Sequence, residues 1–245
     1  MPCLLPPLAA TETPLTRGWD PGMIDFAAAR RMMVDGQVRT SDVSDLRIIA
    51  AMLELPRERF VPESKAALAY LDADVPVTQA QAGKPARRLL KPMVLARLIQ
   101  AAGITEHDHV LDVGGATGYA AAVLARLARS VVALEEDAGL AELARANLRA
   151  LGVRHAEVAC GALSAGWPSA APYDAVILDG ATEVAPKALL RQLKPGGRLA
   201  CVLGQGPAGK AMLYRATDEE CSGRPIFDAA APLLPGFAAP ASFVF

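Results

Sequence analysis

The sequence predicts an α/β fold: a parallel sheet with helices on both faces, preceded by an N-terminal helical subdomain. Short apolar segments alternate with helical segments from about residue 92 to residue 204, which is the order that a parallel sheet requires. A glycine-rich turn joins one of these apolar segments to the next helix. Before this region, residues 25–70 show the apolar spacing of helices.

The composition is that of an ordinary globular protein. The chain has 245 residues, of which 52% are hydrophobic, and its formal net charge is -1. This charge gives no reason to expect a nucleic-acid partner. No apolar run approaches the ~20 residues that span a bilayer, and no targeting signal is evident, so we expect a cytoplasmic protein without a membrane partner. The four cysteines form no C-x-x-C pair, and we expect no metal site.

Composition and helix-breaking residues divide the chain into three regions. Residues 1–22 are rich in Pro and predict a disordered extension. Residues 23–91 predict a helical subdomain, in which Ser44 or Asp45 caps the second helix and Pro56 ends it. Its last part, from Leu71 to Lys91, is predicted to be an irregular loop that covers a site.

Residues 92–245 predict the α/β domain. The expected helices cover residues 93–102, 120–129, 139–151 and 186–193. The expected strands cover residues 110–113, 131–135, 157–159, 174–178 and 198–203, and residues 194–197 form a turn. Two further strands, near residues 212–214 and 242–244, would complete the sheet.

The glycine-rich turn indicates a ligand site. It reads Val110-Leu111-Asp112-Val113-Gly114-Gly115-Ala116-Thr117-Gly118-Tyr119, with Asp112 two positions before the first Gly. Glu135 ends the next strand, where a carboxylate can accept both ribose hydroxyls of a nucleotide. The glycine spacing does not match the G-x-G-x-x-G fingerprint of NAD-binding proteins, and an acid before the loop suits a cationic ligand. We therefore expect S-adenosylmethionine, with NAD as the less favoured alternative. The candidate binding residues are Asp112, Gly114, Gly115, Ala116, Thr117, Gly118, Glu135, Glu136, Ala162 and Asp179.

From about Ala27 to Gly204 the chain resembles the protein-L-isoaspartate O-methyltransferases, a family of class I S-adenosylmethionine-dependent methyltransferases. The similar stretches occur in the family's order. They include Gln37-Val38-Arg39, Leu55-Pro56-Arg57-Glu58-Arg59-Phe60-Val61-Pro62, Ala69-Tyr70-Leu71-Asp72, Gly118-Tyr119, Gly166-Trp167, Ala171-Pro172-Tyr173-Asp174-Ala175 and Gln192-Leu193-Lys194-Pro195-Gly196-Gly197-Arg198-Leu199.

This resemblance implies a Rossmann-like methyltransferase sheet in residues 92–245 and an N-terminal subdomain that helps to cover the site. It also implies methyl transfer to the carboxylate of isoaspartyl residues in damaged proteins or peptides. Such a carboxylate is already ionised at neutral pH, so the reaction requires no general base.

The chain departs from the family pattern around the acceptor. The family has Thr-Ile-Ser-x-Pro where this sequence has Arg88-Leu89-Leu90-Lys91-Pro92, so Leu90 stands in place of a Ser that helps to hold the acceptor. We expect Leu90, Arg88 and Lys91 to form an altered acceptor segment. Ala162 replaces an acid expected near the adenine, Ala116 replaces a Gly, and residues 79–87 lengthen the covering loop.

Three hypotheses remain open at this point. The first is a carboxyl methyltransferase that acts on isoaspartyl sites, with lower activity than a Ser-containing relative. The second is an enzyme of the same fold that methylates a small molecule, with the altered segment at residues 79–92 as a new acceptor pocket. The third is a relative that binds the cofactor without turnover.

Overall fold

The computed structural model describes residues 24–81 and 85–240. The extension predicted at residues 1–22 and the strand predicted at residues 242–244 lie outside the described residues.

Two α-helices, one π-helical segment and three 3-10 segments form the N-terminal part. Helix α1 (Phe26–Met33) is capped by Asp25, whose side chain accepts a hydrogen bond from the Ala28 N–H. A π-helical segment (Val34–Val38) and a 3-10 turn (Arg39–Ser41) continue it. Helix α2 (Leu46–Glu54) is capped by Asp45, one of the two expected residues. Two 3-10 helices follow, Arg57–Phe60 and Glu63–Leu68.

The segment predicted as an irregular loop, residues 71–91, contains a short hairpin. Strand β1 (Val75–Pro76) pairs antiparallel with β2 (Arg88–Leu89). The Val77 N–H extends the ladder to the Arg87 carbonyl at 2.9 Å. The prediction was wrong on this point because strands of two residues are too short to show an alternating pattern. We call the described residues 75–81 and 85–89 the covering hairpin.

A seven-stranded sheet forms the rest of the described chain. Its elements, in chain order, are α3 (Pro92–Ala102), β3 (His109–Val113), α4 (Tyr119–Leu124), β4 (Ser130–Glu135), α5 (Ala138–Ala150), β5 (Ala156–Cys160), β6 (Tyr173–Thr182), α6 (Lys187–Leu190), β7 (Leu193–Leu203), β8 (Lys210–Ala216) and β9 (Cys221–Asp228). The strand order is β5-β4-β3-β6-β7-β8-β9. Strands β3 to β7 pair in parallel, whereas β8 pairs antiparallel with both β7 and β9.

Several element boundaries correct the sequence-based expectations. Strand β7 begins at Leu193 and includes the predicted turn at residues 194–197, where its register with β6 shifts between Tyr173 and Ala175. Helix α4 ends at Leu124, five residues before the expected end. The last strand of the described sheet, β9, was missed because its sequence is largely exposed and lacks an apolar alternation.

The two faces of the sheet carry separate apolar clusters. The N-terminal helices and α3–α5 bury their side chains in the larger cluster, whereas α6 packs in the smaller one, so helices lie on both faces as expected. The sequence order reverses between β3 and β6, and a ligand site in such sheets lies at the carboxyl ends of the strands next to this switch point. The predicted boundary at residue 91, between the helical subdomain and the α/β domain, stays a prediction. No described helix is long and apolar enough to cross a membrane.

Candidate cofactor and acceptor site

The glycine-rich loop connects β3 to α4 and takes left-handed backbone angles at three positions. Gly114 has φ +80°, Ala116 +53° and Gly118 +93°. Glycine adopts such angles freely, whereas Ala116 carries about 1 kcal/mol of strain. A Cβ on Gly115 would lie 2.5 Å from Oδ2 of Asp112, so the loop passes directly over this carboxylate.

Glu135 stands at the end of β4, with 2% of its surface exposed. Its Oε2 accepts the Ala116 N–H at 3.1 Å, and its Oε1 accepts the N–H groups of Glu136 and Asp137 at 2.9 and 3.1 Å. Asp137 in turn caps α5 by accepting the Leu140 N–H. These bonds fix the carboxylate beside the glycine-rich loop, where the sequence placed the ribose partner.

Arg87 of the covering hairpin reaches the same carboxylate. Its Nη1 lies 2.5 Å from Oε1 of Glu135, and its Nη2 donates to the Gly114 carbonyl at 2.9 Å. Sequence reasoning missed this residue, because nothing in the local pattern distinguishes it from the neighbouring Arg88.

Three buried acids meet at this end of the sheet. Asp112 and Asp179 are buried beside Glu135, and neither oxygen of Asp112 has a hydrogen-bonding partner. Burial raises the pKa of Asp112 well above its usual range, and the charges of Asp179 and Glu135 raise it further. Burial also raises the pKa of Asp179 to about 7, although Arg57 and Arg87 act in the opposite direction. This excess of acid fits a cationic ligand such as S-adenosylmethionine, which carries a sulfonium and an ammonium group.

Arg57, in the 3-10 helix after Pro56, is fully buried and joins two separate segments. Its Nε donates to the Ala69 carbonyl and its Nη2 to the Leu90 carbonyl, both at 2.8 Å. Its guanidinium lies 4.6 Å from the centre of the Tyr119 ring. Arg57 therefore fixes the position of residue 90 relative to the N-terminal part.

The structure separates the three residues of the expected acceptor segment. The Leu90 side chain is 2% exposed and belongs to the larger apolar cluster. Arg88 is exposed and donates to the Asp74 carbonyl at 3.0 Å, while the Lys91 N–H donates to Oδ1 of Asp74 at 2.9 Å. Their role toward an acceptor stays a prediction.

The C-terminal segment, residues 232–239, covers the carboxyl end of β6. The Ala181 N–H donates to the Pro232 carbonyl at 2.7 Å, and the Leu234 N–H donates back to the Ala181 carbonyl at 2.9 Å. A Cβ on Gly180 would lie 2.6 Å from Cγ of Leu234, and one on Gly114 2.8 Å from its Cδ2. Leu234 thus packs against the glycine-rich loop on the side opposite β4.

A cavity of about 660 Å³ opens between the covering hairpin, the turn after β4 and the C-terminal segment, a size typical of small-molecule sites. Its described lining residues are Thr78, Gln79, Gln81, Pro85, Arg87, Glu136, Asp137, Ala138, Leu233, Leu234, Pro235, Gly236 and Ala238.

Comparisons with known proteins decide the family. A profile of the protein-L-isoaspartate(D-aspartate) O-methyltransferase family matches residues 29–225. The chain belongs to this family. It is 42% identical to a protein-L-isoaspartate O-methyltransferase of Methylorubrum extorquens strain PA1 over 193 residues, which are 79% of this chain and 81% of that one. The donor of these methyltransferases is S-adenosylmethionine.

Solved structures show the same fold. A protein-L-isoaspartate O-methyltransferase superposes with a TM-score of 0.72 and 27% identity, over 84% of this chain and 66% of the other. A putative protein-L-isoaspartate O-methyltransferase of Plasmodium falciparum, solved with S-adenosyl-L-homocysteine, gives a TM-score of 0.67 at 15% identity, over 84% and 97% of the two chains.

The remaining residues expected at the methyltransferase cofactor site take different positions. Thr117 is buried, and its hydroxyl donates to the Phe60 carbonyl at 2.5 Å, so it supports the loop. Glu136 is exposed and lines the cavity. Ala162 is exposed and begins the 3-10 turn Leu163–Ala165 without a side-chain capping bond. Within residues 24–81 and 85–240, no group of His, Cys, Asp and Glu side chains is arranged to hold a metal ion.

Asp179 is expected to make the binding of S-adenosylmethionine depend on pH. The pKa of this carboxyl is raised to about 7, and a cationic ligand favours its ionised form. The affinity should therefore rise with pH below about 7, by at most about tenfold per pH unit, and level off above it. Calorimetry at pH 6, 7 and 8 measures this slope. Asp179→Asn should flatten it, and S-adenosylhomocysteine, whose sulfur is neutral, should show a weaker dependence. An equal slope in the Asn variant would assign the titration to another group.

Proposed function

We propose that this protein transfers the methyl group of S-adenosylmethionine to the carboxylate of isoaspartyl residues in proteins or peptides. The observation that carries the proposal is the position of Glu135, held by three backbone N–H groups beside the glycine-rich loop, in a chain that belongs to the family.

Each part of the site has a role in this reaction. Glu135 would hold the ribose hydroxyls, Gly114 to Gly118 would face the methionine half, and Asp112 and Asp179 would attract the positive charge. The bound cofactor supplies a methyl group on a sulfonium. The acceptor carboxylate is ionised at neutral pH, so the protein has to align it and exclude water rather than remove a proton. The covering hairpin and the C-terminal segment lie where they can exclude water.

The proposed acceptor is a protein or peptide rather than a nucleic acid or a membrane lipid. The formal net charge of -1 gives no general attraction to phosphate backbones, and no described helix could span a bilayer.

A small acid is the second candidate for the acceptor, and the burial of Leu90 favours it. Leu90 stands where the family has a Ser that helps to hold the acceptor, and its side chain can neither donate nor accept a hydrogen bond. The segment is thereby changed at the position that contacts the isoaspartyl group in relatives.

Methyl transfer to a peptide tests the proposal directly. The purified protein is incubated with labelled S-adenosylmethionine and an isoaspartyl peptide, with the same peptide containing normal Asp as the control. We expect label on the isoaspartyl peptide alone. Binding of the cofactor without transfer to this peptide would contradict the isoaspartyl acceptor. A screen of small carboxylic acids with the same label would then separate a methyltransferase for a small acid from a protein without turnover.

Leu90→Ser is expected to raise kcat/KM on the isoaspartyl peptide, because a hydroxyl can donate to the acceptor carboxylate. The same change removes apolar contacts from the core and should lower the free energy of unfolding by about 2–4 kcal/mol. Leu90→Ala is the matched control, since it makes a similar cavity without a hydroxyl. Robust turnover in the natural protein, with no gain in the Ser variant over the Ala variant, would show that the family Ser is dispensable here.

A further inference from the structure

Arg87 forms an ion pair with Glu135, the carboxylate that would bind the ribose of the cofactor. We infer that Arg87 is a built-in competitor for the ribose subsite, which the cofactor must displace from Glu135 in order to bind. This inference rests on the proposed cofactor site and adds to it a residue of the covering hairpin that sets cofactor affinity.

The hydrogen-bonding capacity of Glu135 shows why the two partners compete. An ionised carboxylate offers about four lone-pair sites. Oε1 accepts the N–H groups of Glu136 and Asp137 and Nη1 of Arg87, so it has no lone pair left, whereas Oε2 accepts the Ala116 N–H alone. The backbone donors belong to the glycine-rich loop and to the capped start of α5, so they are fixed. Arg87 is the one side-chain partner of Glu135 among the described residues. One ribose hydroxyl can bind Oε2, but the second can bind Oε1 only when Arg87 leaves it.

The guanidinium of Arg87 also contacts the glycine-rich loop. Nη2 of Arg87 binds the Gly114 carbonyl, and a Cβ on Gly114 would lie 3.3 Å from this nitrogen. The guanidinium therefore covers the surface of the loop that would face the methionine half of the cofactor. Its side chain is 11% exposed and that of Glu135 3%, so the pair is well shielded from water.

The anchoring of Arg87 permits the side chain to leave without opening the hairpin. The main chain of Arg87 is held on both sides, because its N–H donates to Oγ1 of Thr78 and its carbonyl accepts the Val77 N–H, each at 2.9 Å. The side chain borders the 660 Å³ cavity and can rotate into it. Among the described residues that line this cavity, Arg87 is the only Lys or Arg, while Glu136 and Asp137 are acids.

Replacing Arg87 with Gln tests the competition through binding alone. We expect the affinity for S-adenosylhomocysteine and for adenosine to rise about tenfold, as for the loss of one charge-assisted hydrogen bond that opposes binding. Glu135 keeps its three backbone donors in this variant, so its carboxylate stays in place. The affinity for 2′,3′-dideoxyadenosine, which has no ribose hydroxyls, should change less than twofold. Arg129→Gln is the control, since Arg129 is exposed and lies outside the site.

A double-mutant cycle with Glu135→Gln links the effect to the ion pair. The gain from Arg87→Gln should disappear when Glu135 is already Gln. An unchanged or weaker affinity for S-adenosylhomocysteine in Arg87→Gln, or an equal gain for dideoxyadenosine, would overturn the inference. If Glu135→Gln still weakens S-adenosylhomocysteine binding in that case, the cofactor site itself stands. Melting temperatures of all variants, with Arg87→Lys as a charge-retaining variant, distinguish a change of affinity from a loss of fold.

Discussion

Replacing Glu135 with Ala is expected to weaken the binding of S-adenosylmethionine about tenfold in the natural background and about 100-fold in the Arg87→Gln background. Hydrogen bonds to a charged group contribute about 1.5–3 kcal/mol, and each 1.4 kcal/mol is a factor of ten. In the natural background, part of this loss is offset because Arg87 no longer has to be displaced. The effect is therefore larger when the competitor is already missing.

Isothermal calorimetry on the two backgrounds measures both losses. Glu157→Ala is the control, because Glu157 is exposed on the neighbouring strand β5 and lies outside the site. Unchanged affinity in both backgrounds would remove Glu135 from the ribose subsite.

Replacing Arg57 with Met is expected to lower the free energy of unfolding by about 2–4 kcal/mol. The substitution keeps most of the volume but leaves the Ala69 and Leu90 carbonyls without their buried donor, and each costs about 1–3 kcal/mol. Relief from burying a charge offsets a part of this cost. The melting temperature should fall by about 5–15 °C for a chain of this size.

Arg59→Met provides the matched control for Arg57. Both arginines lie in the same 3-10 helix, but Arg59 is exposed, and its loss should change the free energy of unfolding by less than about 0.5 kcal/mol. A second readout is the pH dependence of cofactor binding. Arg57 lowers the pKa of Asp179, so the Arg57→Met variant should have a higher pKa at Asp179. The pH at which the affinity for the cofactor levels off should then lie above 7. Equal melting temperatures for the two variants would contradict a role for Arg57 in joining the segments.

Local patterns placed the candidate site residues that lie at the ends of two successive strands. The glycine-rich loop after β3 and the carboxylate of Glu135 at the end of β4 follow from residue spacing and from the family pattern. The ion pair of Arg87 could not be predicted in this way, since it joins residues 48 positions apart and no local signal marks Arg87. The packing of Leu234 against Gly114 and Gly180 could not be predicted either, because it depends on how distant parts of the chain fold together.

The candidate site combines segments that are far apart in the chain, and this has a consequence for synthesis. Residues 232–239 bind the end of β6 and press on the glycine-rich loop, which is translated more than 100 residues earlier. A nascent chain on the ribosome therefore presents Gly114 and Gly180 to solvent until this last segment emerges. Domains fold as units while translation proceeds, so the sheet can form first and the proposed cofactor pocket can close only after residues 232–239 have emerged.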